Sequence, residues 1–506
     1  MPLFHGRNVK APLELSCDIA VVGSGAGGSM AALELGRRGF EVVLLEEGPD
    51  VRALGFSQRE EEMLPRLFRQ AGGQRSDDLS ILVLSGRCLG GSTVHNLNLC
   101  KRTPFEILEA WREEFGLALP QKELEALFEE VESLLGVNPI REEQVSPHNR
   151  VLERGLKVLG WAGGRMHHNR NERCIGSGFC ELGCAYDAKN NALSVVIPRA
   201  IEAGVTVVTD ARVMRIVHDG KRAKHLVGHL LDGDGGFRGE FKVHFRGVCL
   251  SGSAIGSAVL ALKSAFPNPH GQIGAHLHLH PACAVVGRFE ERIEAWRGVP
   301  QSIECTEFLD FRKGSDRRIW IVPSFAHPGG AAALMPGFGP SWLEIVRSYP
   351  HLAVLTPMLH DESEGRVLLD GERPRIQYLL TPSDCEQLVM GARAAARLLW
   401  ASGAREVIIP AVPPIVLRKE EDLHKVDVTR FVPNDVPLMA VHPMGTLRMG
   451  KDAHNAVVSE EGKVFGMENV WVADGSLFPT SLGVPPQISI YTFALWVARY
   501  LRLPSK

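Results

Sequence analysis

Two stretches toward the C-terminal end carry residue types that could do chemistry: Ala440–Gly450 (AVHPMGTLRMG) and Asn469–Ile490 (NVWVADGSLFPTSLGVPPQISI). In the first, a single histidine, His442, sits in a turn rich in glycine and methionine. An imidazole has an unperturbed pKa of about 6.5, so it can take a proton from a hydroxyl near neutral pH. In the second, an apolar strand runs into Asp474-Gly475-Ser476 and then into an apolar helix that starts near Pro485. A helix start carries unpaired backbone N–H groups and favours negative charge. Proline suits the first helical turn, where the N–H it lacks is not needed. The pair fits a reaction that moves a proton while negative charge builds nearby.

The N-terminal end supplies a nucleotide-binding signal. Asp18–Gly23 (DIAVVG) reads as a short apolar strand feeding Gly23-Ser24-Gly25-Ala26-Gly27-Gly28, a helix follows from about Ser29 to Arg38, and a second strand, Glu41–Glu46, ends in an acid. Gly23 permits the tight turn, Gly25 lets the backbone approach a pyrophosphate, and Gly28 lets helix and strand pack closely. Glu46 stands where a ribose hydroxyl would be bound. The spacing predicts dinucleotide binding but does not separate FAD from NAD. Joined to the C-terminal pair, it reads as a flavin enzyme: a base for the alcohol and a helix start for the anionic side of the reduced ring.

Composition bounds the rest. A chain of 506 residues allows about two to four domains. Its 45% hydrophobic and 23% charged content are those of a globular protein with ample core. The net charge of −3 argues against a nucleic-acid partner. Met1–Ser16 shows no apolar core of a signal peptide, and Val484–Ala498 is shorter than the ~20 residues that span a bilayer. The expectation is a cytoplasmic protein with no transmembrane segment; attachment to a membrane through a partner subunit stays open. Ten cysteines without a secretion signal suggest reduced thiols or metal ligands.

Elements can be placed around these motifs. Phe105–Phe115, Gln121–Leu135, Pro147–Leu159 and Ser383–Ala401 show apolar spacings of three and four and predict helices, as Leu79–Leu84 predicts a strand. Strands are predicted over Val205–Val217, His225–Leu231 and Phe237–Phe245, before Gly247–Ser251 returns to the nucleotide domain. Ala282–Asp370 alternates β-type runs with turns. The division expected is 1–150 for the first part of the cofactor domain, with a helical excursion. Residues 151–280 hold a cysteine-rich loop and the return to that domain, 281–400 a substrate-binding domain, and 401–506 the completion of the cofactor domain and active site.

With these segments in view, the chain resembles the glucose–methanol–choline (GMC) oxidoreductases, FAD-dependent alcohol oxidases and dehydrogenases. The resemblance rests on Gly23–Gly28 with Glu46 and Gly48, on Gly86-Arg87-Cys88-Leu89-Gly90-Gly91-Ser92 leading to Asn96, on Ser251–Gly256, on His280-Pro281 and on both C-terminal segments. Cys174–Lys189 and Gly365–Asp384 look most like bacterial long-chain alcohol, sterol and sugar-acid members. The fold implied is α/β: a Rossmann-like FAD-binding domain with an inserted antiparallel-sheet substrate domain. The resemblance implies FAD contacts from Gly23, Gly25, Gly28, Glu46, Gly90, Gly91, Ser92, His95, Asn96, Val213, Asp474 and Pro486, and makes His442 the base while hydride passes from the carbinol carbon to flavin N5. In some members a histidine just before the loop asparagine bonds the flavin ring, which raises covalent attachment through His95.

One departure stands out. Members usually carry Asn or His, hydrogen-bonded to the substrate oxygen, where this chain has Pro485, which offers neither donor nor acceptor. Thr480 and Ser481 are local candidates to replace it. Cys174, Cys180 and Cys184, spaced C-x5-C-x3-C among three glycines and a serine, resemble the segment with which bacterial sugar dehydrogenases hold an iron–sulfur cluster feeding a cytochrome partner. Zinc with His167 or His168 is the weaker alternative. On that basis a dehydrogenase is favoured over an oxidase. The substrate expected is a hydrophobic or sterol-like alcohol, with Trp320, Phe325, Met335, Phe338, Trp342 and Met358 as pocket wall or as core. The alternatives are a flavoprotein of non-redox or light-driven chemistry on this scaffold, a degenerate flavin-binding subunit and, least, an NAD-dependent dehydrogenase.

Overall fold

The computed structural model describes residues 3–335 and 337–504; Met1, Pro2, Pro336, Ser505 and Lys506 lie outside the described residues. The N-terminal signal is realised in a six-stranded, all-parallel sheet ordered Leu3–His5, Thr206–Thr209, Val42–Leu45, Ile19–Val22, Gly247–Leu250 and Val470–Val472. Its inner strands read IAVV, VVLL and GVCL, apolar and buried almost throughout, with no polar side. Helix Ala26–Arg37 packs against the buried C-terminal helix Gln487–Tyr500, so both ends of the chain close one layer. Glycine is required on that first helix. A Cβ at Gly28 would lie 1.8 Å from the carbonyl oxygen of Gly23, and one at Gly27 1.8 Å from that of Ala473.

A four-stranded sheet (Ala211–His218, Ala223–Leu231, Phe237–His244, Leu13–Ser16) flanks this layer. The other large layer is a ten-stranded, mostly antiparallel sheet with its own core, backed by helix Pro382–Ala401. Thr381 caps that helix by accepting the N–H of Asp384, and Pro382 opens its first turn. Its strands come from well beyond residues 281–400. Ile81–Val83 and Leu438–Ala440 pair with each other, and Glu406–Ile409 and Ile415–Leu417 extend the opposite side.

The helices Phe105–Phe115, Gln121–Leu135 and Pro147–Leu159 span the ranges their periodicity predicts. The C-terminal helix begins at Gln487, with Pro486 as its N-terminal flank, two residues later than Pro485. Among the described residues no helix is long and apolar enough to cross a membrane.

Candidate active site

The cofactor-side residues named from sequence fall into two neighbouring groups. In the first, Gly23 adopts φ 100°, the left-handed region that glycine tolerates, and turns the chain from strand to helix. Glu46 is buried: Oε2 accepts the N–H and hydroxyl of Ser24 at 3.1 and 2.6 Å, and Oε1 the N–H of Gly48 at 2.8 Å. The Ser24 hydroxyl oxygen in turn accepts the N–H of Gly90 at 2.9 Å, which brings the Gly90-Gly91-Ser92 loop over the turn. A Cβ at Gly25 would meet only Gly91 Cα, at 4.0 Å, so the turn opens there onto space fit for a pyrophosphate. Ser92 Oγ accepts the N–H of Gly86 at 2.9 Å and stiffens the loop. Val213 stands two residues beyond Ala211, whose N–H donates to the Glu46 carbonyl at 2.9 Å.

The second group surrounds the start of the C-terminal helix. Asn96 donates to Oε1 of Gln487 at 2.9 Å, tying the loop to the helix. His95 is buried against Phe68, ring centroids 3.9 Å apart, and its Nε2 has no hydrogen-bond partner. Burial lowers its pKa to about 3. Lys189, missed by sequence reasoning, holds this loop: its buried ammonium donates to the carbonyls of Val94, Asn96 and Cys180 at 2.9, 2.5 and 2.9 Å. Asp474 Oδ2 accepts the Ser257 hydroxyl at 2.6 Å and Oδ1 the N–H of Ser476 at 2.9 Å, pinning the strand end to helix Ser253–Lys263. The open turn at Gly25 and the orphaned His95 nitrogen fit a dinucleotide whose ring reaches the helix start.

The residues that could act on a substrate lie at one end of the second sheet. Ala282–Cys283 runs antiparallel between Leu352–Leu359 and Leu438–Ala440, pairing Ala282 with Met358 and Met439. His280, His360 and His442 therefore leave three adjacent strands at the same end. Nδ1 of His280 lies 3.1 Å from Nδ1 of His442, with the rings edge to face, and Nε2 of His280 accepts the N–H of Gly483 at 2.9 Å. Beneath them Asp361, fully buried, accepts the N–H groups of Leu279 and His280 at 2.9 and 3.2 Å, the Ser481 hydroxyl at 2.7 Å and the Tyr378 hydroxyl at 2.5 Å. Burial alone would raise its carboxyl; hydrogen bonding and the neighbouring His278 and His280 hold it well below the usual range. Burial lowers His442 to about 4, against the pull of Asp361, so the ring is neutral near pH 7.

The structure bears on three further expectations. Thr480 and Ser481 do not replace the side chain missing at Pro485. The Thr480 hydroxyl oxygen accepts Nε1 of Trp111 at 2.8 Å, and the Ser481 hydroxyl is spent on Asp361. Trp320 and Met358 pair across strands in a small core with Leu99, Met166 and Val322, while Phe338 is 90% exposed, so the six apolar candidates do not line one pocket. Cys174, Cys180 and Cys184 do line a common surface cleft with Lys189 and Tyr186. Among the described residues, however, no three His, Cys, Asp or Glu side chains are gathered to hold a metal ion, and every cysteine is free.

Comparison with known proteins gives this geometry its family. Residues 43–282 and 361–494 match GMC oxidoreductase, and residues 18–58 match an FAD binding domain. An uncharacterized GMC-type oxidoreductase of Mycobacterium tuberculosis is 34% identical over 96% of this chain and 76% of its own length. A long-chain-alcohol oxidase of Arabidopsis thaliana is 29% identical over 96% of this chain and 67% of its own. The fold is shared with pyridoxine 4-oxidase from Mesorbium loti (TM-score 0.72, 18% identity, 96% and 98% of the two chains). It is shared equally with formate oxidase from Aspergillus oryzae (TM-score 0.71, 15% identity, 97% and 98%). The chain belongs to the GMC oxidoreductase family, and its cofactor is FAD.

Proposed function

We propose that the protein oxidises the CH–OH group of a hydrophobic alcohol, with His442 acting on the hydroxyl. FAD, when bound, supplies the acceptor for the hydride that leaves the carbinol carbon. The observation that carries the reading is the His280–His442 pair, 3.1 Å apart beside the Gly483–Pro486 loop that leads into the buried helix. A histidine there can serve the oxygen in two ways, as base for its proton or as hydrogen-bond donor to it. Gly23, Gly25, Gly28 and Glu46 with Gly90, Gly91, Ser92 and Val213 would hold the nucleotide half. His95, Asn96, Asp474 and Pro486 would hold the ring half, with the helix start favouring negative charge on the ring's pyrimidine edge. The orphaned Nε2 makes His95 the point at which a covalent link to the ring would form.

The printed name of the Arabidopsis relative supports a long-chain alcohol, with sterols the next class to try. The same names support oxygen as the electron acceptor, in place of the dehydrogenase read from the cysteine turn. Among the described residues no ligand geometry supports an iron–sulfur cluster. One observation favours a second reading, a flavoprotein of other chemistry or a degenerate subunit: Pro485 has no group for the substrate oxygen.

Anaerobic mixing of the yellow protein with long-chain, sterol and sugar alcohols separates the two. Bleaching by a long-chain alcohol, with colour and peroxide returning on admission of oxygen, is the expected result. Bound flavin that no alcohol class bleaches would sink the first reading. Acid precipitation of the same sample tests the His95 link, since free flavin leaves the pellet colourless.

A further inference from the structure

A buried carboxylate is costly unless hydrogen bonds or a cation offset its lost hydration. Two acids near the histidine end of the second sheet have cations of their own. Asp384 takes Arg318 at 2.5 Å, and Glu364 lies 3.5 Å from Arg448 and 2.7 Å from Nδ1 of His276. Asp361 is fully buried, yet no lysine or arginine among the described residues pairs with it. Four neutral donors hold it instead: the N–H groups of Leu279 and His280 and the hydroxyls of Ser481 and Tyr378. Burial and the carboxylate itself keep Tyr378 protonated. The remaining titratable groups that face Asp361 are histidines. His278 has Nδ1 3.5 Å from Oδ2, His360 precedes Asp361 in the chain, and His280 leads to His442. The charge of Asp361 is fixed in place without a permanent partner.

Alcohol oxidation creates a cation beside this anion. When His442 takes the hydroxyl proton, the O–H bond breaks and its electron pair stays on oxygen. That pair closes the C=O bond as the carbinol C–H pair leaves with its hydrogen, as hydride, to the acceptor named above. The proton rests on the ring nitrogen that faced the substrate, and a neutral buried imidazole becomes an imidazolium. A cation formed out of water needs an anion near it. Asp361 is that anion: it pulls the His442 ring toward protonation while burial opposes it.

We propose that Asp361 is a positioning residue with an electrostatic part: its unpaired charge stabilises the imidazolium formed when His442 takes the proton of the substrate. The proposal rests on the alcohol-oxidation reading and assigns His442 the first of the two parts given above, that of base. Both oxygens of Asp361 are taken by its four donors, so it acts through space and stays a carboxylate throughout. The same bonds to His280 and Ser481 fix the ring beside His442 and the loop that leads into the buried helix.

The test compares two probes, octylammonium and octanoate, on oxidised FAD-loaded protein without oxygen near neutral pH. Binding is read by the change each makes in flavin absorbance. The probes share a chain and differ in the sign of their charge, so a pocket that merely loosens shifts both alike. In Asp361→Asn octanoate should bind more tightly and octylammonium less. The ratio of their Kd values, octanoate over octylammonium, should fall at least ~10-fold. Anaerobic reduction by alcohol should slow, and its acid limb should move to lower pH, because His442 loses the charge that favours its proton. A limb that moves up toward ~6.5, the mark of a site merely opened to water, overturns the proposal. So does an unchanged ratio, which a proton on His278 neutralising Asp361 would produce, and so does a site that takes up neither probe. Should the variant not fold, the wild type decides: octylammonium should bind more tightly, and equal binding of octanoate overturns the proposal. The probes need no turnover. A falling ratio in a protein that no alcohol bleaches would defeat the oxidation reading alone, and an unchanged ratio in an active enzyme would defeat this proposal alone.

Discussion

His442 stands at the meeting point of the two halves of the site, with a lone hydrogen-bond partner among the described residues and that partner a second histidine. Replacing it by alanine removes whichever service it gives the hydroxyl. His442→Ala is expected to slow anaerobic flavin reduction by alcohol at least ~10²-fold, whether a base or a donor is lost. Flavin content should be unchanged, because the nucleotide contacts lie on the other sheet. Stopped-flow bleaching measures it, and an unaltered rate would remove His442 from the chemistry. At this scale the sequence was informative where local pattern exists. The Gly/Met turn around His442 and the glycines after Val22 announce themselves. Asp361 and Tyr378 do not, since each acquires its role only from partners many residues away.

At the scale of elements, the loop from Gly90 to Asn96 is held from three sides: Ser24 takes its first amide, Gln487 its asparagine, and Lys189 its carbonyls. Lys189 is a buried cation whose hydrogen bonds all go to backbone oxygens, which joins the loop to the cysteine turn through Cys180. Lys189→Met would keep the volume and strand the carbonyls of Val94 and Asn96, while that of Cys180 keeps the N–H of Gly183. Each unsatisfied buried group costs about 1–3 kcal/mol, so even one that fails to find water weakens the loop's closed form about tenfold or more. The expected outcome is at least ~10-fold weaker retention of FAD, read by flavin released on dilution. Wild-type retention in the variant would reduce Lys189 to a local prop of the cysteine turn. The same geometry gives the cysteine turn a structural part, since Lys189 ties it through Cys180 to the Gly90–Asn96 loop.

For the whole molecule, burial of neutral histidines sets the response to acid. Burial lowers His95 and His168 to about 3 and His148 to about 4, against an ordinary value near 6.5. In the unfolded chain these rings bind protons as pH drops below about 6.5, whereas the native protein binds them only near 3–4. Between those limits the unfolded state holds more protons, so stability is full above the window and falls as pH falls through it. Thermal scans from neutral pH downward should show the midpoint dropping steeply below pH ~6.5, and a flat profile to pH ~4 would contradict it. His168→Gln, which keeps a donor for the Gln301 carbonyl at 3.0 Å, should make that slope shallower.

The nucleotide half could be read from the chain because its parts are consecutive. Strand, glycine turn, helix and acid fall within Asp18–Glu46, and the turn's steric demands act on neighbours in sequence. The long amphipathic helices were legible for the same reason, since a period of 3.6 is a local property. What the tertiary structure alone decided is the other half. Ile81–Val83 read as a strand but gave no sign that it would pair with Leu438–Ala440 in the second sheet. That sheet brings three strand ends together and sets His280, His360 and His442 side by side, although the chain separates them by scores of residues. Which apolar side chains became core was likewise settled by strand pairing, which put Trp320 opposite Met358. Residue types state what chemistry is available; the register of distant strands determines which of those groups touch, because hydrogen-bonded pairing between strands is a property of two segments and is written in neither alone.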